Sequence, residues 1–149
     1  MRNILITGGT GFIGSHTCVN LLEEGFNITV VDSLKNSSIN VLKGIKKILE
    51  LSNKYDANKI NFYKGDIRNR TFLREVFLEA ENKSKPIDGV IHFAGLKAVG
   101  ESIAKPLLYW DVNVNGSINL LKIMEENNCR TILFTSSAAV YGNSKEIPF

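Results

Sequence analysis

Near the C-terminal end of the sequence, "SSAAVYGNSKEIPF" (136–149) sets Ser137 four residues before Tyr141, and Tyr141 four residues before Lys145. A phenol with an ammonium group one helical turn away is a proton carrier, because the cation stabilises the phenolate and lowers the tyrosine's pKa. A serine hydroxyl aimed at the same substrate oxygen would hold it during proton transfer. Such a set suits oxidation and reduction at an alcohol carbon. It works only if tyrosine and lysine share a helix, since residues four apart face each other there. Gly142, Asn143 and Ser144 lie between them and Pro148 follows, so the stretch is expected to be a loop. The Tyr141–Lys145 pair is therefore not expected to be catalytic, and Ser137 is kept as the catalytic candidate.

A second constellation lies at the other end. "TGGTGFIG" spaces Gly8, Gly11 and Gly14 three apart, directly after the apolar run "NILIT" (3–7). A helical pattern follows from Phe12 to Glu24, with Gly25 as its stop. Gly8 permits a tight turn, Gly11 lets backbone N–H groups approach a pyrophosphate, and Gly14 lets the helix pack on the strand. The positive end of the helix dipole then faces the anion. Asp32 ends the β-branched run "NITVVD" (27–32), eighteen positions after Gly14. A carboxylate there accepts both adenosine ribose hydroxyls and repels a 2′-phosphate, which favours NAD over NADP. Lys35 close by softens that rejection. Asp66 and Ile67, in "KGDIR", follow a third strand run and are placed to bracket an adenine edge.

These residues need a scaffold, and the remaining pattern supplies one. Apolar residues recur at helical spacing over 38–54 and 70–82, and over a long segment from Pro106 to Asn127. Strand runs occupy 59–66, 87–95 and 131–137. Five strands alternating with four helices predict an α/β fold, a doubly wound parallel sheet of order 3-2-1-4-5. Ligands sit at the carboxyl ends of such strands. His92, inside an apolar strand, is expected to be a packed core residue.

The 149 residues, 44% hydrophobic and 22% charged with net charge +3, fit one domain. Lys43, Lys46 and Lys47 form a basic patch without aromatic interleaving, so a solvated helix face is expected rather than nucleic-acid binding. No run approaches the ~20 apolar residues of a membrane span. The N-terminal "MRNILITGG" is expected to be a strand, not a signal peptide. Cys18 and Cys129 offer neither a disulfide framework nor metal spacing, and a reducing cytoplasm is expected.

Five stretches together are specific. "HFAGLKAVGES" (92–102), "TGGTGFIGSHTCVNLLEEG", "VVDSLKNS", "KPLLYWDVNVNGSINLL" and "SSAAVYG" resemble the UDP-glucose 4-epimerase family of extended short-chain dehydrogenases. The resemblance implies that residues 1–149 are the NAD-binding Rossmann domain. The last strands, the true Tyr-x-x-x-Lys helix and the C-terminal substrate domain would follow it. It places the backbone of Phe12 and Ile13 at the pyrophosphate, and Asp32, Ser33, Leu34, Lys35, Asn36 and Ser37 along the ribose. Asp66 and Ile67 would hold adenine. Phe93, Ala94, Gly95 and Lys97 would run beneath the diphosphate and nicotinamide ribose, with a polar contact from Asn113. Ser137 would hydrogen-bond the reacting oxygen. The implied activity is inversion at sugar carbon 4 of UDP-glucose and UDP-galactose, with NAD as electron sink and no metal. A homodimer formed through the helix carrying Tyr109 and Trp110 is also implied, and the chain is expected to be inactive alone. Two other readings stay open. One is a nucleotide-sugar dehydratase or decarboxylase; the other is a non-catalytic NAD-binding module, which would need its strand-5 edge covered.

Overall fold

A computed structural model describes residues 2–54 and 56–142. Strands β1 (Asn3–Thr7), β2 (Asn27–Asp32), β3 (Ile60–Lys64), β4 (Ile87–His92) and β5 (Ile132–Phe134) form one sheet in the order β3-β2-β1-β4-β5. Every pairing is parallel, with Thr7 opposite Val31 on one side and His92 on the other. Both the fold class and the strand order match the sequence expectation. Side chains alternate across each strand. Leu5 and Val31 therefore enter one core, with helices α3 (Arg70–Asn82) and α6 (Gly116–Glu126) packed over it. Ile6 and Val30 enter the other, beneath α1 (Phe12–Glu23) and α2 (Asn40–Leu51). The chain steps outward from β1 to β2 and β3, then crosses back from β3 to β4 on the other side of β1, and the strand ends part at that switch point between β1 and β4.

The long helix expected over 106–127 is broken. A short helix α4 (Val99–Ala104) precedes it, and Pro106 opens α5 (Pro106–Trp110) at the first position, where its missing N–H costs nothing. A π turn, Asp111–Asn115, then joins α5 to α6, with the Gly116 N–H donating to the Asp111 carbonyl. A π turn inserts one residue into the helical ladder. Hydrophobic periodicity cannot register one inserted residue, so the break was invisible in the pattern.

His92 lies 3% exposed at the end of β4, as expected of a core residue. Its Nε2 is 2.9 Å from Ser117 Oγ, and the Ser117 hydroxyl donates to the Asn113 carbonyl at 2.6 Å. Nε2 must then be the donor, which leaves Nδ1 to accept from the Thr7 hydroxyl at 2.6 Å. The ring thus ties β1, β4 and the π turn together. Burial pushes its pKa down to about 4.

Helices α1, α2, α3 and α6 all end the same way. Gly25, Asn53, Ser84 and Asn128 take left-handed φ values of 86°, 54°, 56° and 53°. The next N–H then donates back to a carbonyl five residues earlier: Phe26 to Leu21, Lys54 to Leu49, Lys85 to Ala80 and Cys129 to Met124. This satisfies carbonyls the helix leaves open. Glycine and asparagine accept that conformation readily, and serine does so at a cost.

Two outcomes follow. Ser84→Gly should stabilise the chain by about 1 kcal/mol, seen as a higher urea midpoint, because the strain of a left-handed serine is removed. His92 is neutral when folded and titrates near 6.5 when unfolded. The unfolded chain therefore binds the extra proton between those values, and the histidine's contribution is whole above pH 6.5 and lost as pH falls toward 4. That loss is on the order of 3 kcal/mol. His92→Gln should flatten the pH dependence of the urea midpoint over that window.

Candidate functional site

The glycine loop owes its shape to backbone contacts that no side chain would permit. At Gly8, φ is 70° and a Cβ would sit 2.7 Å from the Ala94 nitrogen. At Gly14 a Cβ would sit 2.4 Å from the Gly8 carbonyl oxygen, so α1 rests directly on the loop. Gly11 is the N-cap of α1. No side chain caps that twelve-residue helix, and its first turn holds no acid. Its dipole and leading N–H groups therefore face the cleft uncompensated, with Phe12 and Ile13 at the rim. This is a cradle for an anionic group, and the residues present fit a dinucleotide pyrophosphate.

Asp32 ends β2 at 8% exposure. Its Oδ2 accepts the Thr10 N–H at 3.1 Å. Its Oδ1 accepts the Leu34 N–H at 2.9 Å and the Ser37 hydroxyl at 3.0 Å. Ser37 and Thr10 hydroxyls also pair at 2.8 Å. The acid is thus held by both the glycine loop and its own following turn, in which Leu34 takes a φ of 57°. Ser33, Lys35 and Asn36 line the cleft beside Asp32, whereas Leu34 and Ser37 stay out of the wall and fix the carboxylate. Thr10 went unnoticed in the sequence, where threonine between glycines carries no signal of its own.

Beyond β3, the Gly65 N–H donates to the Asp32 carbonyl at 3.0 Å, which brings Asp66, Ile67 and Arg68 into the same wall. Hydrogen bonds from Arg68 hold the Asp66 carboxyl below the usual carboxylate range. Across the cleft, beyond β4, Phe93, Ala94, Gly95, Leu96 and Lys97 form the other wall. Asn113 clamps this loop: its Oδ1 accepts the Leu96 N–H at 2.8 Å and its Nδ2 donates to the Leu96 carbonyl at 2.9 Å. Gly95 passes close enough that a Cβ would lie 3.2 Å from Asn113 Oδ1.

The cleft, about 540 Å³, continues past β5 along Thr135, Ser136 and Ser137. Tyr141 is not in its wall. It ends a 3-10 turn, Ala138–Tyr141, and is 60% exposed. Gly142 has a φ of 61°, which stops a right-handed helix directly after it. Lys145 lies outside the described residues. Among the described residues no cluster of His, Cys, Asp or Glu could hold a metal ion. The arrangement can bind an elongated diphosphate, with a nucleoside at the β2–β3 end and a second ring near β4 and β5.

Comparison with known proteins agrees. A family described as GDP-mannose 4,6 dehydratase matches residues 5–149. The UDP-glucose 4-epimerase of Neisseria meningitidis serogroup A is 52% identical over 149 residues, which is all of this chain and 40% of that protein. The crystal structure of UDP-glucose 4-epimerase from Bifidobacterium longum in complex with NAD+ and UDP superposes with a TM-score of 0.87. It is 42% identical and is matched over 99% of this chain and 41% of that one. The enzyme from Stenotrophomonas maltophila, with bound NAD and formylated UDP-arabinopyranose, gives 0.86 at 41% identity, over 100% of this chain and 41% of that one. The chain thus spans about 40% of the length of the relatives it matches. Those relatives are named as epimerases, and the family that matches this chain is named for a dehydratase. With that family matched from residue 5 to the last, the chain belongs to the GDP-mannose 4,6 dehydratase family.

Proposed function

We propose that this chain is the N-terminal, NAD-binding part of a UDP-glucose 4-epimerase, acting in galactose metabolism on UDP-glucose and UDP-galactose. The observation that carries the reading is one continuous cleft across the switch point. It runs from Asp32 and Asp66, past the uncapped start of α1, to Lys97 and Ser137. Bound NAD would supply a reversible hydride acceptor, restored in each cycle. Asp32 accepts the adenosine ribose hydroxyls, the α1 N-terminus and Lys97 balance the diphosphate, and Asn113 shapes the loop beneath the nicotinamide ribose. Ser137 hydrogen-bonds the reacting sugar oxygen. The proton carrier and the substrate domain belong to the rest of the longer enzyme, so the 149 residues alone bind cofactor without turning over substrate. Tyr141, exposed and outside the cleft wall, supports that division.

Leu107, Trp110, Val114, Ile118 and Leu121 recur at helical spacing and are exposed, an apolar face that a second copy would cover in a homodimer. Both cysteines are buried and free, and no helix of the described residues is long and apolar enough to cross a membrane, which supports a cytoplasmic enzyme. The reading as a self-sufficient binding module is weakened by β5, whose Ile132, Leu133 and Phe134 are all exposed among the described residues. The dehydratase reading keeps the support of the family's name.

Calorimetry should show that the chain binds NAD, while an assay for UDP-galactose conversion shows no turnover. Turnover would give Tyr141 and Lys145 a catalytic role after all. Asp32→Ala should weaken NAD by roughly ten- to a hundredfold, the worth of hydrogen bonds to a charged group, and narrow the preference over NADP. Unchanged affinity for both dinucleotides would sink the ribose assignment. Leu107→Asp should leave the chain monomeric by sedimentation at concentrations where the parent chain is dimeric. A parent chain that is itself monomeric would remove this face as the dimer contact.

A further inference from the structure

Arg68 is tied down more heavily than a surface arginine needs to be. Its backbone N–H and Nε donate to Asp66 Oδ1 at 2.9 and 3.0 Å, and its Nη2 donates to Asp66 Oδ2 at 2.7 Å. Its Nη1 reaches across to Asp111 Oδ2 on the π turn at 2.8 Å. Asp111 is held in turn by Asn115 Nδ2 at 3.2 Å, and the Arg68 carbonyl accepts from Asn119 Nδ2 at 2.9 Å. Ile67 adds a packed contact: a Cβ on Gly116 would lie 2.6 Å from its Cδ1. The loop after β3 is therefore docked on the π turn and the start of α6 by an ion pair, a side-chain amide hydrogen bond and an apolar contact.

These charges are 34 to 46% exposed, and ion pairs so exposed add little to global stability. What the network does is fix one carboxylate. We propose that Arg68 is a positioning residue that holds Asp66 as a fixed, acceptor-only group selecting a 6-aminopurine at the nucleoside end of the cleft. The proposal rests on the NAD-binding reading, in which Asp66 and Ile67 hold adenine, and goes beyond it to the residue that fixes the carboxylate.

An ionised carboxylate has about four acceptor positions and no proton to give. Arg68 occupies two on Oδ1 and one on Oδ2. The position left on Oδ2 can accept from the exocyclic amine of adenine, whereas the carbonyl oxygen of a 6-oxopurine would meet it acceptor to acceptor. The same hydrogen bonds hold the Asp66 carboxyl below the usual range, so it keeps its charge under ordinary conditions. Asp111 stops the guanidinium from swinging away with its partner. Lysine could replace the charge but not the fork. The signal in "DIRN" was present in the sequence, yet nothing local says that an acid forty-three positions on will hold the arginine's other end.

The experiment compares NAD with nicotinamide hypoxanthine dinucleotide, which carries a carbonyl oxygen in place of the adenine amine, by calorimetry on the full 149-residue chain. The parent chain should prefer NAD by on the order of tenfold or more, as expected when a polar partner in the site is left facing the wrong group. Arg68→Ala should cut that preference to under about threefold, Arg68→Lys should fail to restore it, and Asp111→Asn should give an intermediate ratio. Far-UV circular dichroism checks folding, and the lysine and asparagine variants carry the test if Arg68→Ala does not fold. Equal weakening of both dinucleotides with the ratio preserved would overturn the proposal, since that is what a merely structural role predicts. A parent chain that binds NAD but does not discriminate would overturn it and leave the cofactor reading intact. A parent chain that binds neither would overturn both.

Discussion

The structure depends on one close approach. The backbone leaving β1 passes Ala94 on one side and receives the start of α1 on the other, at distances that admit no Cβ at Gly8 or Gly14. Because these contacts join main chain to main chain, they cannot relax by choosing another rotamer. They bring the first turn of α1 to the switch point between β1 and β4, where the strand ends part and the cleft opens. A methyl group at either glycine would separate helix, loop and strand together. The anion cradle and the sheet's central joint are the same few atoms.

From that joint outward, polar groups are used as ties. Asp32 gathers the glycine loop and the turn after β2 through Thr10, Leu34 and Ser37. His92 links Thr7 to Ser117, and Ser117 satisfies the Asn113 carbonyl at the π turn. The Asn113 amide then grips Leu96 from both sides. Among the described residues, no buried side-chain nitrogen or oxygen lacks a partner. A satisfied network of this kind specifies one arrangement, since each partial loss would strand a buried polar atom. The cleft walls are consequently positioned by hydrogen bonds as much as by packing.

Much of this was legible in the residues, for a physical reason. The strand order follows from alternating periodicities and the handedness of crossovers, and both are properties of short segments. The glycine spacing and the acid closing β2 are equally local. What escaped depends on neighbours far along the chain. Thr10 matters because Ser37 and Asp32 fold over it, and Arg68 because Asp111 does. Asn113, expected as a polar contact, lies in the cleft wall, and its amide also holds Leu96, a partner that nothing local in the sequence announces. Leu34 and Ser37, expected along the ribose, also hold the Asp32 carboxylate through a backbone N–H and a hydroxyl. Ser137 was expected past strand 5 and does line the cleft there.

The pairing of Thr7 with His92 also has a consequence in time. These residues are 85 positions apart, yet they join the two strands at the middle of the sheet. β1 can pair with β2 across a short crossover, but its other edge stays open until nearly two-thirds of the chain is available. Closing so long a loop is entropically costly, and topologies dominated by such distant contacts fold slowly. β1 thus gains its second neighbour only after β2 has been enclosed by β3. Until β4 arrives, its unpaired edge is the place where a growing chain is most open to the wrong neighbour.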